Sequence, residues 1–406
     1  MNYKFYILSI FIFSAVFIFI RPAGAQTITD RLAGRIVLSV EQNGEAWYVN
    51  PTEKRRYFLG RPHDAFAIMR ELGLGINEAN FNRLSSVNDP EVKDLDLARS
   101  LAGRIVLQVE KNGEAWYINP VNLRKYFLGR PHDAFAIMRE LGLGITVRDL
   151  STVRRAGTNV NSPYHSYERK TVQTETYGSF LTDVITIDLS NPKLKIHTLT
   201  ASAANCQSSC PARSLAHYYE EGFGFAAMNG TYFDTSASKR NYYFFPVYNS
   251  LKRVFINEDQ LKYWTTGPIM AFDTNNRFYY FKDSREFKSV ADFELNYGVT
   301  LQAAFGNKPR MIENGLNYLI DWEVNESQRT VKSTRHAVGY ANNKLYLIVA
   351  HRSTVPEVAQ VSQALGMEYA INMDGGGSTA LMYNDRYLLG PGRAIPNALV
   401  FSEHAQ

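Results

Sequence analysis

The chain has 406 residues, of which 45% are hydrophobic and 20% charged, and these fractions are typical of a globular protein. At this length two or three domains are expected. The formal net charge of +5 is slight, and no long run of Lys or Arg is present, so the composition does not indicate a nucleic-acid partner.

The first 25 residues predict a secretory signal peptide. Lys4 is a brief basic start, residues 5–20 are a mostly apolar run, and Ala23-Gly24-Ala25 is a small-residue cleavage site. A bilayer span needs ~20 apolar residues, so this run is somewhat short for one, and an uncleaved N-terminal anchor is the alternative. We therefore expect a secreted or extracytoplasmic protein, and association with the cell surface is compatible with the same signal.

An internal repeat follows the signal segment. The pattern of residues 33–76 returns in residues 102–145 at a constant offset of 69 positions, and we assign the second repeat to residues 102–147. In each copy the pattern predicts two strands, joined in the second copy by the favoured Asn112-Gly113 hairpin turn, then a third strand and a helix. The sequence thus predicts two small β-β-β-α repeats, with polar linkers at 77–101 and 148–164.

The two copies carry the same Trp, Arg and His residues at corresponding positions: Trp47 and Trp116, Arg61 and Arg130, His63 and His132. Exposed aromatic side chains suit sugar rings, so contact between the repeats and cell-wall polysaccharide is one interpretation. The other is that the aromatic residues fill the core of a very small domain, which has few other residues to bury. Neither copy contains an acid–base pair that would make it an enzyme.

Cys206 and Cys210 are the two cysteines of the chain. In an oxidising compartment this spacing can close a small disulfide loop, and we predict that they are bonded to each other. Structural zinc needs four ligands, so we assign no metal site to the pair. Because the loop is short, the expected stabilisation is modest.

The last hundred residues predict a strand, a helix and a second strand. Residues 345–350 are an apolar strand, Thr354 to Glu357 has the pattern of a capping box with Pro in the first turn, and residues 369–373 are the next strand. Such a unit predicts that the two strands are parallel neighbours. Ligands collect at the carboxyl ends of strands in sheets of this kind, and Asp374 lies at that position.

Three consecutive glycines, Gly375 to Gly377, follow Asp374 and precede Ser378. Glycine in series is costly in regular structure and is useful where the backbone approaches a ligand or needs φ > 0. Successive N–H groups in such a turn can form a concave site for an anion. The simpler interpretation is a tight turn in which Asp374 acts as a cap.

Four segments in this order resemble the phosphodiester glycosidase family: Ala227-Met228-Asn229-Gly230-Thr231-Tyr232-Phe233-Asp234, Thr334-Arg335-His336-Ala337-Val338-Gly339, Asn372-Met373-Asp374-Gly375-Gly376-Gly377-Ser378, and Pro396-Asn397-Ala398-Leu399-Val400. The resemblance covers residues 165–403 approximately and leaves the repeats outside. It implies a secreted α+β domain that cleaves a sugar-1-phosphate diester at the sugar side. The predicted fold class is therefore α+β, with a mixed-sheet catalytic domain at 165–406 preceded by the two repeats.

The sequence departs from the family pattern in three places. The family usually has a second hydroxyl residue where His336 stands, many members have Leu where Met373 stands, and a longer glycine-bearing loop often replaces residues 350–353. The loop difference bears on the identity of the substrate more than on the class of reaction.

The resemblance and the chemistry of the residues together assign roles. We predict Asp374, Asp234 and Arg335 as catalytic, because glycoside cleavage uses carboxyl groups and an Arg fork suits phosphate. The predicted substrate-binding residues are those that can offer N–H or amide groups: Asn229, Gly230, Gly375, Gly376, Gly377, Ser378 and Asn397. We predict no cofactor and assign no metal ligand.

Each of these residues also has a structural interpretation. Asp234 could cap a turn, Arg335 could be an ion-pair partner, and Asn397 could satisfy backbone groups in a buried corner. His336 and His351 are more simply explained as incidental to catalysis.

The function predicted from the sequence is a secreted hydrolase that cleaves the glycosidic bond of a sugar-1-phosphate diester in an envelope or extracellular glycan. One alternative is a non-catalytic protein that binds anionic surface polysaccharide in the same cleft. Another is a structural envelope protein whose function depends mainly on the repeats. Because the repeats lack an acid–base pair, a chain that starts near Asn161 is predicted to keep hydrolytic activity on small substrates.

Overall fold

The structure is a computed structural model that describes residues 27–41, 44–59, 62–156 and 162–403. The predicted signal peptide lies outside these residues. Within the described ranges, no helix is long and apolar enough to cross a membrane.

The N-terminal elements, in chain order, are α1 (Ile28–Leu32), β1 (Ile36–Ser39), β2 (Glu45–Val49), β3 (Arg56–Phe58), α2 (Pro62–Leu72), β4 (Leu74–Ile76), α3 (Glu78–Arg83), α4 (Leu95–Ser100), β5 (Ile105–Gln108), β6 (Glu114–Ile118), β7 (Lys125–Phe127), α5 (Pro131–Leu141), β8 (Leu143–Ile145) and α6 (Val147–Leu150). They form two four-stranded sheets, sheet I with the order β3-β2-β1-β8 and sheet II with the order β4-β5-β6-β7. Each repeat therefore has a fourth strand after its helix, which the sequence interpretation did not include.

The fourth strands are exchanged between the repeats. Strand β4 of the first repeat pairs in parallel with β5 of the second, and β8 of the second pairs in parallel with β1 of the first. The contact is reciprocal: the Tyr48 hydroxyl donates to the Gly103 carbonyl and the Tyr117 hydroxyl donates to the Gly34 carbonyl, each over 2.7 Å. A Cβ on Gly34 would lie 2.6 Å from the Gly103 Cα, so the two backbones meet where only glycine fits. The repeats are thus one intertwined unit.

The segment 77–101, predicted as a polar linker, contains helices α3 and α4. Asn77 and Asp94 cap these helices with their side chains. Phe81 and Leu84 are buried in the core cluster of the second repeat, so the segment is part of the fold rather than a tether.

The C-terminal elements, in chain order, are β9 (His165–Gln173), β10 (Ser179–Asp188), β11 (Lys195–Thr200), α7 (Leu215–Glu221), β12 (Ala226–Asn229), β13 (Val247–Asn249), β14 (Val254–Ile256), β15 (Ile269–Asp273), β16 (Phe278–Phe281), α8 (Ser284–Phe287), α9 (Val290–Tyr297), β17 (Leu301–Gly306), β18 (Arg310–Glu313), β19 (Leu316–Asn317), α10 (Glu326–Thr330), β20 (Ser333–Ala341), β21 (Lys344–Ser353), α11 (Val355–Ala364), β22 (Tyr369–Met373), β23 (Leu381–Tyr383), β24 (Arg386–Leu389) and β25 (Asn397–Ser402). Short 3₁₀ helices span Glu258–Lys262, Trp264–Thr266, Asp321–Glu323 and Gly376–Ser378. The predicted capping box at the start of α11 is present, with Thr354 and Glu357 in reciprocal hydrogen bonds.

Three sheets build the C-terminal half. Sheet III has the order β19-β18-β22-β20-β21-β10-β9, sheet IV the order β11-β25-β12-β23-β24, and sheet V the order β14-β13-β17-β15-β16. The main core lies between them and includes Val338, Met373, Phe272 and Phe401. Helix α11 covers the other face of sheet III, and α7 covers sheet IV. The prediction of an α+β fold is confirmed.

The prediction that β21 and β22 are parallel neighbours is wrong. Strand β20 lies between them and pairs antiparallel with both. Strand β20 turns back at Asn342-Asn343 into β21, and α11 then carries the chain across β20 to its other edge. The two strands still run in the same direction, so the carboxyl end of β22 faces the start of β20.

A buried ionic network joins the first repeat to the C-terminal half. Arg56 contacts Glu220 and lies 3.6 Å from the Asp385 carboxylate, while Arg155 lies 3.6 Å from Glu220 and donates its backbone N–H to Asp385 over 2.9 Å. All four side chains are almost completely buried. The ring of Phe223 packs against Phe58 beside this network. Residues predicted as a linker therefore carry part of a tight junction.

Cys206 and Cys210 form a disulfide with each other in the structure. The Cys210 N–H donates to the Arg240 carbonyl over 2.9 Å, and its carbonyl accepts from Asn241 over 2.9 Å. The small loop is thereby attached to the hairpin that follows the first family motif.

Candidate active site

Asp374 lies directly after β22, in the middle of sheet III. Its backbone N–H donates to the Gly230 carbonyl over 3.2 Å, so the end of sheet III meets the end of β12 in sheet IV at this point. The side chain is buried, with a residual exposure of 9% that leaves it reachable from one side.

Asn229 connects the two sheets through its side chain. Its Nδ2 donates to the Asp374 carbonyl over 2.7 Å, and its Oδ1 accepts from the Ala380 N–H over 3.1 Å. Both bonds go to backbone groups on either side of the glycine turn. Asn229 therefore fixes the backbone of Asp374, with both ends of its amide bonded to main-chain groups.

Asn397 has the same kind of role one strand away. Its Oδ1 accepts from the Thr231 N–H over 2.9 Å, and its Nδ2 donates to the Thr231 hydroxyl over 2.9 Å. A Cβ on Gly230 would lie 1.8 Å from the Asn397 Oδ1, so Gly230 is required for this close approach. These contacts match the structural interpretation of Asn397, as a partner of the buried N–H and hydroxyl of Thr231.

Arg335 lies beside Asp374 because of strand register. His336 of β20 pairs with Met373 of β22 in an antiparallel register. Arg335, which precedes His336, and Asp374, which follows Met373, therefore lie at the same end of the sheet. The Arg335 Nη2 donates to the carbonyls of Ser327 and Val331, over 3.2 and 2.9 Å, at the C-terminal end of α10. Its Nε is buried and makes no hydrogen bond within the described part of the chain. The guanidinium is held by a helix end while its charge acts on the site.

A second arginine, Arg393, reaches the same place from the loop before β25. A Cβ on Gly377 would lie 2.3 Å from the Arg393 Nη2, so the guanidinium lies directly on the glycine turn. The Arg393 N–H also donates to the Gly377 carbonyl over 3.1 Å. Gly376 has φ +61°, which favours glycine, and the first N–H groups of the short helix at Gly376–Ser378 have no acceptor within that helix. Arg393 is exposed and was missed by the sequence interpretation.

Burial raises the pKa of Asp374 to about 6. The Ser378 hydroxyl, the Gly375 N–H and the charges of Arg393 and Arg335 oppose this shift without cancelling it. The Gly375 N–H donates to the Asp374 Oδ1 over 2.9 Å, so this group serves the carboxylate. A carboxyl group with such a pKa exists in both protonation states near neutral pH, as general acid–base catalysis requires.

Polar side chains that the sequence interpretation did not assign complete the surroundings of Asp374. The Asn372 Nδ2 donates to the Tyr232 hydroxyl over 2.6 Å, and the Asn307 Nδ2 donates to the Asn372 carbonyl over 2.7 Å. Burial, and after it the nearby Asp374 charge, raise the pKa of the Tyr232 phenol, which also interacts with Gln328. Tyr232 lies within the first family motif and could have been singled out, whereas Asn307 and Gln328 lie in segments with no recognisable pattern.

A sequence model of the phosphodiester glycosidase family matches residues 225–402. Residues 225–402 belong to this family. The match contains every residue described above around Asp374, and it excludes both repeats.

Two solved structures overlap with the chain in part. A hypothetical protein from Synechocystis has a TM-score of 0.46 and 12% identity over 59% of this chain and 62% of its own. The catalytic domain of zebrafish N-acetylglucosamine-1-phosphodiester alpha-N-acetylglucosaminidase, auto-inhibited by its pro-peptide, has a TM-score of 0.45 and 17% identity over 61% of this chain and 87% of its own. The chain thus spans less than two thirds of the Synechocystis protein. No curated protein matches the chain.

Asp234 of the phosphodiester glycosidase domain is placed in a turn. Its carboxylate accepts from the Ser236 N–H over 2.8 Å, and its backbone groups pair with Tyr242 and Asn241. The Ser236 hydroxyl and N–H and the charge of Lys239 lower the pKa of this carboxyl below its usual value. These contacts match the turn-capping interpretation, and the described contacts of Asp234 do not include Asp374.

The two histidines near the second family motif have different surroundings. His336 is completely buried, burial lowers its pKa to about 3, and neither ring nitrogen makes a hydrogen bond within the described residues. The His351 Nε2 lies 2.7 Å from an Asp183 carboxylate oxygen, and that carboxylate also accepts from Tyr167 and Arg169. Burial acts to raise the pKa of Asp183, but these hydrogen bonds outweigh it and lower that pKa. Among the described contacts, neither histidine bonds to Asp374.

Proposed function

We propose that this protein is a secreted hydrolase that cleaves the glycosidic bond of a sugar-1-phosphate diester. The family match supports a hydrolase acting on phosphodiester glycosides. The observation that carries the finer statement is the position of Asp374, a buried acid whose pKa is raised to about 6 and which lies between Arg335 and Arg393. An acid–base group and two fixed positive charges are what this reaction needs in one place.

In the proposed reaction, water attacks the anomeric carbon, and the bond between that carbon and the phosphate oxygen breaks. The oxygen leaves with the electron pair as part of a phosphate monoester, and the sugar gains the hydroxyl group. The deprotonated Asp374 accepts the proton of the attacking water and stabilises the positive charge that develops on the sugar ring. Because phosphate is already a good leaving group, protonation of the leaving oxygen contributes little.

The arginines act on the phosphate. Arg393 lies on the glycine turn with an exposed guanidinium, which can form two parallel hydrogen bonds with phosphate oxygens. Arg335 is buried and fixed to the end of α10, so it contributes charge without moving. Such pre-arranged charge stabilises the developing monoester more strongly than mobile water would.

The test is product analysis with a panel of sugar-1-phosphate diesters that varies the sugar among N-acetylglucosamine, glucose and mannose. We expect a free sugar and a phosphate monoester from at least one of them. Release of a sugar-1-phosphate with an alcohol instead would assign the cleavage to the other side of the phosphate. Tight binding of anionic polysaccharide without product from any diester would favour the alternative of a non-catalytic binding protein.

We further propose that the second repeat contacts envelope polysaccharide. It carries an open groove of about 440 Å³, lined by Asn112, Glu114 and Phe127 among others, and the Phe127 ring is 43% exposed. The corresponding Phe58 of the first repeat packs against Phe223, so its ring is less exposed than that of Phe127. Co-sedimentation of the whole protein with insoluble envelope polysaccharide, compared with Phe127→Ala, tests this contact.

A further inference from the structure

Two of the four tryptophans in the chain form an exposed pair on the phosphodiester glycosidase domain. Trp264 is 46% and Trp322 is 56% exposed, whereas Trp47 is buried. The rings of Trp264 and Trp322 are arranged edge to face with centroids 5.0 Å apart. Exposed clustered aromatic rings mark interaction sites, because their burial by a ligand is favourable and their exposure otherwise is not.

The backbone beneath each ring is fixed. On one side, the Thr266 hydroxyl donates to the Tyr263 carbonyl over 2.7 Å, and the Ser284 hydroxyl donates to the same carbonyl over 2.6 Å. On the other side, Arg329 donates to the carboxylate and the carbonyl of Asp321, over 2.9 and 2.7 Å. Because the main chain next to each ring is already ordered, binding to the pair requires little ordering of the backbone.

The segment of Trp264 contacts, three residues later, a residue that supports the active site. A Cβ on Gly267 would lie 2.8 Å from the Asn307 carbonyl, so the two backbones are in contact there. Asn307 in turn donates to the Asn372 carbonyl over 2.7 Å, two residues before Asp374. Three residues span at most ~10 Å, so the Trp264 backbone lies within that distance of the contact between Gly267 and Asn307.

The segment of Trp322 leads to the same site from the other direction. It continues into α10, which carries Gln328, a neighbour of Tyr232. The carbonyls at the end of that helix hold Arg335 over 3.2 and 2.9 Å. The two tryptophans therefore lie on the two segments that also support the surroundings of Asp374.

We propose that Trp264 and Trp322 form a platform that binds a sugar ring of the substrate beyond the ring that is cleaved. This inference rests on the proposed function and extends it, because it makes the substrate a glycan of several units rather than a small diester. The C–H groups on one face of a pyranose ring pack well against an aromatic face. In the edge-to-face pair, one indole presents its face to the sugar and the other indole stands beside it. The platform contributes to binding and takes no part in bond cleavage.

The test uses oligomers of one, two and four sugar-1-phosphate units, made with the sugar that the panel above identifies. We expect kcat/KM of the unaltered protein to rise with length, and the variant with Trp264→Ala and Trp322→Ala to lose about tenfold on the tetramer and less than twofold on the monomer. Trp264→Tyr with Trp322→Tyr retains aromatic rings and should restore most of the loss. Tyr164→Ala is the control, since Tyr164 is 38% exposed and its carbonyl pairs with Asp188 at the opposite end of sheet III.

The platform can also be tested without turnover. Binding of the tetramers of the panel sugars to the Asp374→Asn protein should change tryptophan fluorescence, and the double Ala variant should show no change. If no diester is hydrolysed but this length-dependent binding is present, the proposed reaction fails and the platform stands. Equal losses on monomer and tetramer, or no length-dependent binding of any sugar, would overturn the platform. Binding to phosphatidylglycerol vesicles that disappears in the double Ala variant would show a membrane contact instead and would also overturn it.

Discussion

The Asn229 Nδ2 donates to the Asp374 carbonyl over 2.7 Å, and this bond joins residues that are 145 positions apart. Because the acceptor is the backbone carbonyl, the bond orients the main chain of Asp374 and leaves its carboxylate available. The other end of the Asn229 amide holds the Ala380 N–H after the glycine turn. One buried amide thus sets the geometry of the whole turn.

Replacing Asn229 by Ala should lower both stability and turnover. The variant leaves the Asp374 carbonyl and the Ala380 N–H buried without partners, and each such group costs about 1–3 kcal/mol. We expect a loss of at least ~2 kcal/mol in the free energy of unfolding, measured in urea, and a fall in kcat, because Asp374 is no longer held in place. Asn276→Ala is the control: its Nδ2 donates to the carbonyls of Asn191 and Leu194, so it should lose stability but keep turnover. Equal turnover in the two variants would contradict the role of Asn229.

Replacing Asp374 by Asn should abolish most activity without destabilising the protein. Loss of a general acid–base group typically costs 10²–10⁴-fold in rate, and kcat on the best diester of the panel measures it. In the unaltered protein the activity should rise with pH through about 6, because the deprotonated carboxylate acts as the base. This rise should be absent in the variant, and an undiminished rate would remove Asp374 from the mechanism.

Asp374→Asn should also stabilise the protein at neutral pH, whereas replacing a carboxylate that forms a structural ion pair would destabilise it. The pKa of Asp374 is raised on folding, so its contribution to stability is greatest below the unfolded pKa near 4 and is lost as pH rises toward 6. Asn removes this penalty, which at two pKa units is about 3 kcal/mol. The variant should therefore unfold at a higher temperature than the parent at pH 7.5, with little difference at pH 4. A lower melting temperature at pH 7.5 would contradict this.

Much of this site can be predicted from the sequence, because the signals that locate it are local motifs or follow from the order of the strands. The capping box at Thr354 and Glu357 is present as expected. Arg335 comes to the end of β22 because β20, which turns back into β21 at Asn342-Asn343, pairs antiparallel with β22. The insertion of β20 between β21 and β22 was missed, because a strand–helix–strand pattern does not reveal a third strand that arrives earlier in the chain.

The residues that sequence reasoning missed act through tertiary contacts. Arg393 follows Gly390-Pro391-Gly392, which indicates a loop, but nothing in that loop shows that it lies on Gly377. Arg56 and Glu220 are 164 positions apart and belong to segments that were assigned to different domains. A charged residue in a short polar stretch looks solvent-exposed, and only its partner shows that it is buried.

Acid should destabilise the protein through its buried histidines. Burial lowers the pKa of His336 to about 3 and that of His197 to about 4, while the unfolded value is near 6.5. Their contribution to stability is therefore complete above pH 6.5 and is lost as pH falls toward 4, by up to about 1.4 kcal/mol per pH unit for each histidine. Urea denaturation at pH 7 and pH 5 measures this loss.

His336→Leu isolates one histidine in this acid response. Both ring nitrogens of His336 are buried without partners in the described structure, so an apolar side chain of similar volume should raise stability at pH 7. It should also reduce the loss between pH 7 and pH 5. The exposed His132 serves as the control through His132→Gln, which should change neither quantity. An unchanged pH dependence in His336→Leu would show that the buried ring is not the group that takes up the proton.

The junction between the repeats and the phosphodiester glycosidase domain should prove necessary for stability. Arg56→Met leaves Glu220 buried with Arg155 as its remaining cation, and breaking a buried ion pair from one side costs about 3–5 kcal/mol. Lys125→Met is the matched control, since Lys125 occupies the corresponding position of the second repeat and donates to the Phe81 carbonyl over 2.9 Å, and no ion pair of Lys125 is found within the described residues. We expect a clearly smaller loss in the control, measured as the free energy of unfolding.

The pH dependence separates lost charge pairing from lost packing in this variant. Burial raises the pKa of Glu220, and Arg56 and Arg155 oppose that shift, so removal of Arg56 raises the pKa further. A carboxyl whose pKa is raised on folding destabilises the protein more as pH increases, and the loss in Arg56→Met should be larger at pH 8 than at pH 5. A chain that starts near Asn161 lacks both arginines and the packing of Arg155 on Tyr219, so we expect it to be less stable than the full chain. Equal stability of that shortened chain and the full chain would show that the two parts fold independently.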